Sequence, residues 1–190
     1  MQFVNILIVL LVLLAAEGLA PAANKTWTGA VSTEWFNPTN WSPAGVPASE
    51  DAVLVSSGNV VASTHVTATS LTVNGGTCTL DGATELGALT LSGGTLGGTN
   101  VVVVTNLVWT GGTMSGVGTT VVAEGGALRI SAPLYGSVQL NQRVLHNAGS
   151  AVWSNSGAIY GNSGAVITNS GAWEVQNDAL MDWYGSGARP

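Results

Sequence analysis

Four segments of this chain repeat at an interval of 18 residues, and the interval holds to the residue. Val53-Leu54-Val55-Ser56-Ser57-Gly58 aligns with Leu71-Thr72-Val73-Asn74-Gly75-Gly76, then with Leu89-Thr90-Leu91-Ser92-Gly93-Gly94 and Leu107-Val108-Trp109-Thr110-Gly111-Gly112. Each unit reads apolar, variable, apolar, polar, turn, which is the period-2 signature of a short strand with one buried face. The glycines that close each unit suit a sharp corner. Strands this short do not form stable isolated hairpins. They can bury their apolar faces if each unit makes one coil and the next coil stacks on it at the strand spacing of about 4.8 Å. Leu71, Leu89 and Leu107 then form one inward column, and Val73, Leu91 and Trp109 the next. The expected fold is all-β, a parallel β-helix or β-solenoid. The competing reading is an antiparallel sandwich or jelly roll, whose strands usually run longer between polar hairpin turns.

A second pattern begins after residue 145. Asn147-Ala148-Gly149, Asn155-Ser156-Gly157, Asn162-Ser163-Gly164 and Asn169-Ser170-Gly171 are corners 8, 7 and 7 residues apart, with Ala-Val-Trp-like strand segments between them. Three such segments make a coil of about 22 residues on a three-sided cross-section. Asn tolerates these bends, and stacked Asn side chains can bond to one another along the axis. Residues 113–144 are less regular, although Val121-Val122 and Leu128-Arg129-Ile130 retain strand character.

Composition narrows the function. Ten acids against 4 bases give a formal net charge of −6, which argues against a nucleic-acid partner. With 7% charged and 46% hydrophobic residues, the chain is neither disordered nor a soluble helical bundle. The lone Cys78 can make no intrachain disulfide and no thiolate metal cluster, and it reads as a small buried residue beside Leu80. Residues 3–16 are nearly all apolar and are followed by Ala20-Pro21-Ala22. That run is shorter than a membrane span and fits a secretory signal peptide over residues 1–22. The expected location is secreted or cell surface, without stable membrane insertion after cleavage.

Residues 23–52 differ in character from the repeats. Trp27, Trp35, Phe36 and Trp41 fall within fifteen residues, and the end of a solenoid needs a cover over its open edge. An aromatic cap is therefore expected before the coils of residues 53–190. The sharper alternative is a carbohydrate platform in which Trp27, Trp35 and Trp41 stack on sugars while Asn40, Asn37 or Asp51 bond hydroxyls. Asn24-Lys25-Thr26 and Asn40-Trp41-Ser42 match the glycosylation pattern, as chance allows in a chain rich in Ser and Thr.

The run from Trp27 through Asn40-Trp41, Gly45, Pro47 and Asp51 resembles the leader of bacterial secreted β-helix proteins of the autotransporter-passenger and filamentous-haemagglutinin-like adhesin type. The segments at 109–120 and 145–150 are similar to repeats of such surface proteins. The resemblance implies a right-handed parallel β-helix at the cell surface or secreted. Family members are usually far longer, and this chain reaches Gly185 to Pro190 without an evident cap, which leaves a truncated chain as one expectation.

Residues 18 apart are neighbours on such a coil, so the carboxylates can be checked for pairing. Asp81 falls between Ser63 and Thr99, Glu85 between Thr67 and Val103, and Glu50 and Asp51 under Ala68 and Thr69. None meets another acid or a base. Glu174, Asp178 and Asp182 are spaced by four and could share a small acidic face. His65 and His146 read as lone outward imidazoles, and Arg129 and Arg143 as bases at a strand edge. No catalytic, metal or cofactor residues are assigned. The expected function is a structural or adhesive module, with a carbohydrate-binding module or a fragment of a β-helix polysaccharide lyase or hydrolase as alternatives. Expected partners are surface glycans or host or matrix polymers, and end-to-end self-association is a further mode.

Overall fold

The computed structural model describes residues 22–184. The signal-peptide reading lies outside them except for Ala22, as does the segment from Gly185 to Pro190. The chain winds into a β-solenoid of about six turns with almost no helix. The strands form an 11-stranded and a 7-stranded sheet, parallel throughout except for Trp41–Ser42. In each regular coil a long strand such as Val66–Val73 bends near Thr69 and covers two sides of the rod. A Gly-rich corner follows, then a short strand such as Thr77–Leu80 on the third side.

The register follows the 18-residue spacing. Val53 lies beside Leu71, Leu71 beside Leu89, and Leu89 beside Leu107, while Val73, Leu91 and Trp109 form the adjoining column. All these pairs are parallel, so the sandwich is excluded. The inward columns are fully buried, and each enclosed Leu or Val contributes roughly 1.5–3 kcal/mol relative to exposure. Cys78 stands in the third-side column between Val60 and Leu96. Burial pushes its thiol up to about 12, which leaves it a neutral apolar filler.

The irregular stretch has two local causes. Asn106 pairs with Ala127, so three extra residues enter between Val122 and Ala127. The turn 131–136 is then five residues longer than its counterpart, which sets Thr113 against Gln139. Its tip, Tyr135, is 98% exposed with φ of 64°. Beyond it the coil settles at 22 residues, with Val144 beside Val166, Ser150 beside Ala172, and Ile159 beside Met181. The expected amide ladder is present. Asn147 Nδ2 donates to Asn169 Oδ1 at 2.7 Å and to the carbonyls of Ala172 and Gly149 at 3.0 and 3.1 Å.

Arg143 corrects the strand-edge reading, because it is buried at 0% exposure. Its corner is one residue shorter than the corner beneath it, and the guanidinium fills the space. Nε donates to Thr120 Oγ1 at 2.8 Å, and Nη1 to the carbonyls of Ser115 and Gly98 at 3.0 and 3.2 Å. Nη2 reaches the carbonyl of Thr119 at 3.5 Å. Desolvation lowers its pKa to about 10, so it stays charged at neutral pH and ties three successive coils together through carbonyl oxygens.

Candidate functional site

The aromatic entrance is built as a closure. The strand Asn24–Trp27 extends the first sheet by one parallel rung, and Trp41–Ser42 then pairs with it antiparallel. Trp41 packs edge-on against Trp27 and Trp35, with ring centroids 5.0 and 4.8 Å apart. Its Nε1 donates to the Trp35 carbonyl at 2.7 Å. Exposures of 4%, 1% and 3% for Trp27, Trp35 and Trp41 leave no ring face outward for a sugar.

The polar residues of the entrance are equally committed. Buried Asn40 accepts from the amides of Val31 and Ser32, both at 3.0 Å, and donates to Ser32 Oγ and the Glu34 carbonyl, both at 2.9 Å. All four of its hydrogen-bonding positions are thereby used, and its nitrogen is not available for glycosylation in the folded state. Asn37 Oδ1 caps its own turn, accepting from Thr39 N at 3.1 Å and Thr39 Oγ1 at 2.7 Å. Asp51 accepts from the amides of Ala23 and Ala48 at 2.8 and 2.9 Å. Lys25 Nζ donates to the carbonyls of Pro43 and Ala44, both at 3.2 Å. Trp27, Trp35, Trp41 and Asn40 are thus gathered in one place, as a lid on the first coil.

The ionisable groups are dispersed. Asp81 Oδ1 accepts from Thr99 N and Thr99 Oγ1, both at 3.1 Å. Glu85 stands between Thr67 and Val103 at a shallow groove of about 330 Å3 that also touches Ser49 and Leu86. Glu174 lies beside Val152 in the first sheet, and Asp182 beside Tyr160 in the second. The acidic trio therefore spreads over different sides instead of sharing one face. His146 is not isolated: Nδ1 is 2.8 Å from Thr168 Oγ1 and Nε2 is 3.4 Å from Ser170 Oγ. Among the described residues no three His, Cys, Asp or Glu side chains gather as a metal site, and no helix is long and apolar enough to cross a membrane.

The third side of the rod is ordered differently. Parallel pairing aligns Asn59, Thr77, Thr95, Thr113, Gln139 and Tyr160 in one column. Thr79, Gly97, Ser115, Asn141 and Asn162 lie in the adjoining column. Inward Cys78, Leu96, Met114 and Leu140 alternate with them and fix the outward direction. The sequence marks Cys78-Thr79-Leu80 as a strand but does not by itself announce this two-column array, although its threonines share the 18-residue spacing.

A family model described as a domain of unknown function (DUF8693) matches residues 26–110, which takes in the lid and the regular coils. No curated protein and no solved structure matches the chain.

Proposed function

We propose that this chain is a structural and adhesive module of a secreted or cell-surface protein, acting by passive contact and without catalysis of its own. The observation that carries this reading is the third side of the rod, where uncharged hydroxyl and amide side chains repeat at the strand spacing over a continuous buried core. A rigid ladder holds those groups at fixed intervals, so individually weak contacts to a repetitive partner act together without a fresh ordering cost at each step. The resemblance to autotransporter-passenger and filamentous-haemagglutinin-like adhesins supports the same reading and extends it to a right-handed, exported rod. The test is retention of the purified protein on a panel of insoluble surfaces: neutral glycans, acidic glycans and collagen-coated beads. Saturable retention on at least one surface is expected. Passage through the whole panel without retention would remove the adhesive role.

A further inference from the structure

Some hydroxyls of the rod are used within it: Thr84 bonds the Gly82 carbonyl, Thr99 bonds Asp81, and Thr120 receives Arg143. Those aligned on the third side are not. Among the described residues, the hydroxyls of Thr77, Thr79, Thr95, Thr113 and Ser115 have no hydrogen bond within the chain. They are half-buried, so each is held by its strand yet still open to solvent.

Two further features fall on the same side. Gly97 interrupts the second column. A Cβ placed there would lie 3.4 Å from Ser115 Oγ and 3.7 Å from Thr79 Oγ1. Gly97 itself is buried, and the missing side chain leaves an unpaired hydroxyl on either flank of it, one from each adjoining coil. Two rungs on from Gly97, Asn141 carries an amide oxygen that is covered and has no partner. A covered, unpaired acceptor costs about 1–3 kcal/mol in a folded protein, and a donor arriving from a bound molecule would relieve it.

Charge and spacing select the occupant. The two columns hold no ionisable carboxylate, ammonium or guanidinium from Asn59 to Asn162. Acids bound them at both ends, with Glu34 bridging to Val61 at one and Asp182 beside Tyr160 at the other. On a chain of net charge −6, this neutral strip is where an uncharged polymer loses nothing to desolvated charge and an acidic one is repelled from both ends. The rungs repeat at about 4.8 Å, close to the advance of one pyranose unit in an extended glycan. We infer that the third side is a binding surface for a neutral polysaccharide lying along the rod axis. In that arrangement Thr77, Thr95 and Thr113 bond successive sugar hydroxyls, and Thr79 and Ser115 bond one hydroxyl or hydroxymethyl group lying over Gly97. The inference rests on the adhesive reading and names its surface and its ligand class.

The test compares retention of four proteins on microcrystalline cellulose, insoluble mannan and cross-linked polygalacturonate. Beside the wild type stand Thr95→Val with Thr113→Val, which removes two hydroxyls while keeping branched strand residues, and Gly97→Thr, which adds a side chain between Thr79 and Ser115 with its Cβ at ordinary contact distance. Thr72→Val with Thr90→Val, on another side of the rod, is the control. Retention on a neutral glycan is expected. It should fall about tenfold in the double variant, as the loss of two hydrogen bonds implies, and at least as much in Gly97→Thr, with the control unchanged and all melting curves alike. Wild-type binding that survives both third-side changes, or that is confined to polygalacturonate, overturns this assignment and leaves adhesion standing. A wild type that neither these glycans nor any other surface retains overturns both readings.

Discussion

At the entrance, Trp27 and Trp35 pack against Trp41 of the short antiparallel return, and every polar group of Asn40 is paired. At the exit, Trp173 and Trp183 are only half-buried around an apolar cavity of about 470 Å3 lined also by Ala165, Ile167 and Met181. Val166, Val175 and Leu180 are exposed at 43%, 54% and 52%. The strands Val166–Asn169, Ala172–Val175 and Met181–Tyr184 each pair with an earlier strand, and among the described residues none pairs with a later one. The contrast shows how such a ladder ends. Each coil satisfies the one before it and exposes an identical edge, so a parallel stack has no internal stopping point. The entrance stops because Trp41–Ser42 runs the other way and brings an aromatic lid with it.

The largest effect that could break this comparison is in the free energy of opening. Cys78 sits near the closed end, with its thiol pushed up to about 12 by burial. An Ile167→Cys variant in a Cys78→Val background places a thiol in the last described coil. If the last coil frays while the entrance holds, the engineered thiol reacts with a thiol reagent at least about a thousandfold faster than Cys78 under native conditions. Equal rates in a quenched-labelling series would mean that the rod opens as one unit.

Next in size is the cost of truncating a tryptophan. Trp35→Ala should lose about 3–5 kcal/mol in urea unfolding, because its site is enclosed and cannot collapse onto solvent. Trp173→Ala should lose about 1 kcal/mol, since its ring already meets water. Similar losses at both positions would erase the distinction between the ends.

The smallest effect sharpens the picture at the exit. With little aromatic cover there, polar side chains contribute more of the hold, and Asn147 bridges to the last described coil through Asn169. Asn147→Ala should cost about 1–2 kcal/mol and speed amide exchange in residues 166–175 more than in residues 53–73. A uniform change along the rod would show that the amide ladder has no local role.

The sequence disclosed the solenoid because inward Leu and Val columns recur at a fixed interval, and burial enforces that interval strictly. It disclosed the exit ladder for the same reason, since Asn147 and Asn169 share the later period. Arg143 was not legible. Its partners all precede the insertions at 122–127 and 131–136 while Arg143 follows them, so no constant spacing connects Arg143 to Gly98 or Ser115. The entrance was half legible. A tryptophan cluster before a repeat announces either a lid or an aromatic platform, and the choice depends on which way the rings face. That direction is set by the antiparallel return and by Asn40, neither of which carries a periodic signal. The third-side array was available in principle, since Thr77, Thr95 and Thr113 are 18 apart. What the letters did not reveal is which hydroxyls are already engaged.

The elongated turn at 131–136 bears on how such a protein can diversify. It adds residues at the perimeter while the inward side chains before and after it remain aligned, with Trp109 still beside Ile130 and Met114 still beside Leu140. Corners can therefore vary in length without renegotiating the interior, and a foreign peptide spliced in at Tyr135 would be displayed at full exposure. A lineage built on this plan could change what it presents to its surroundings at its bends while its walls stay the same.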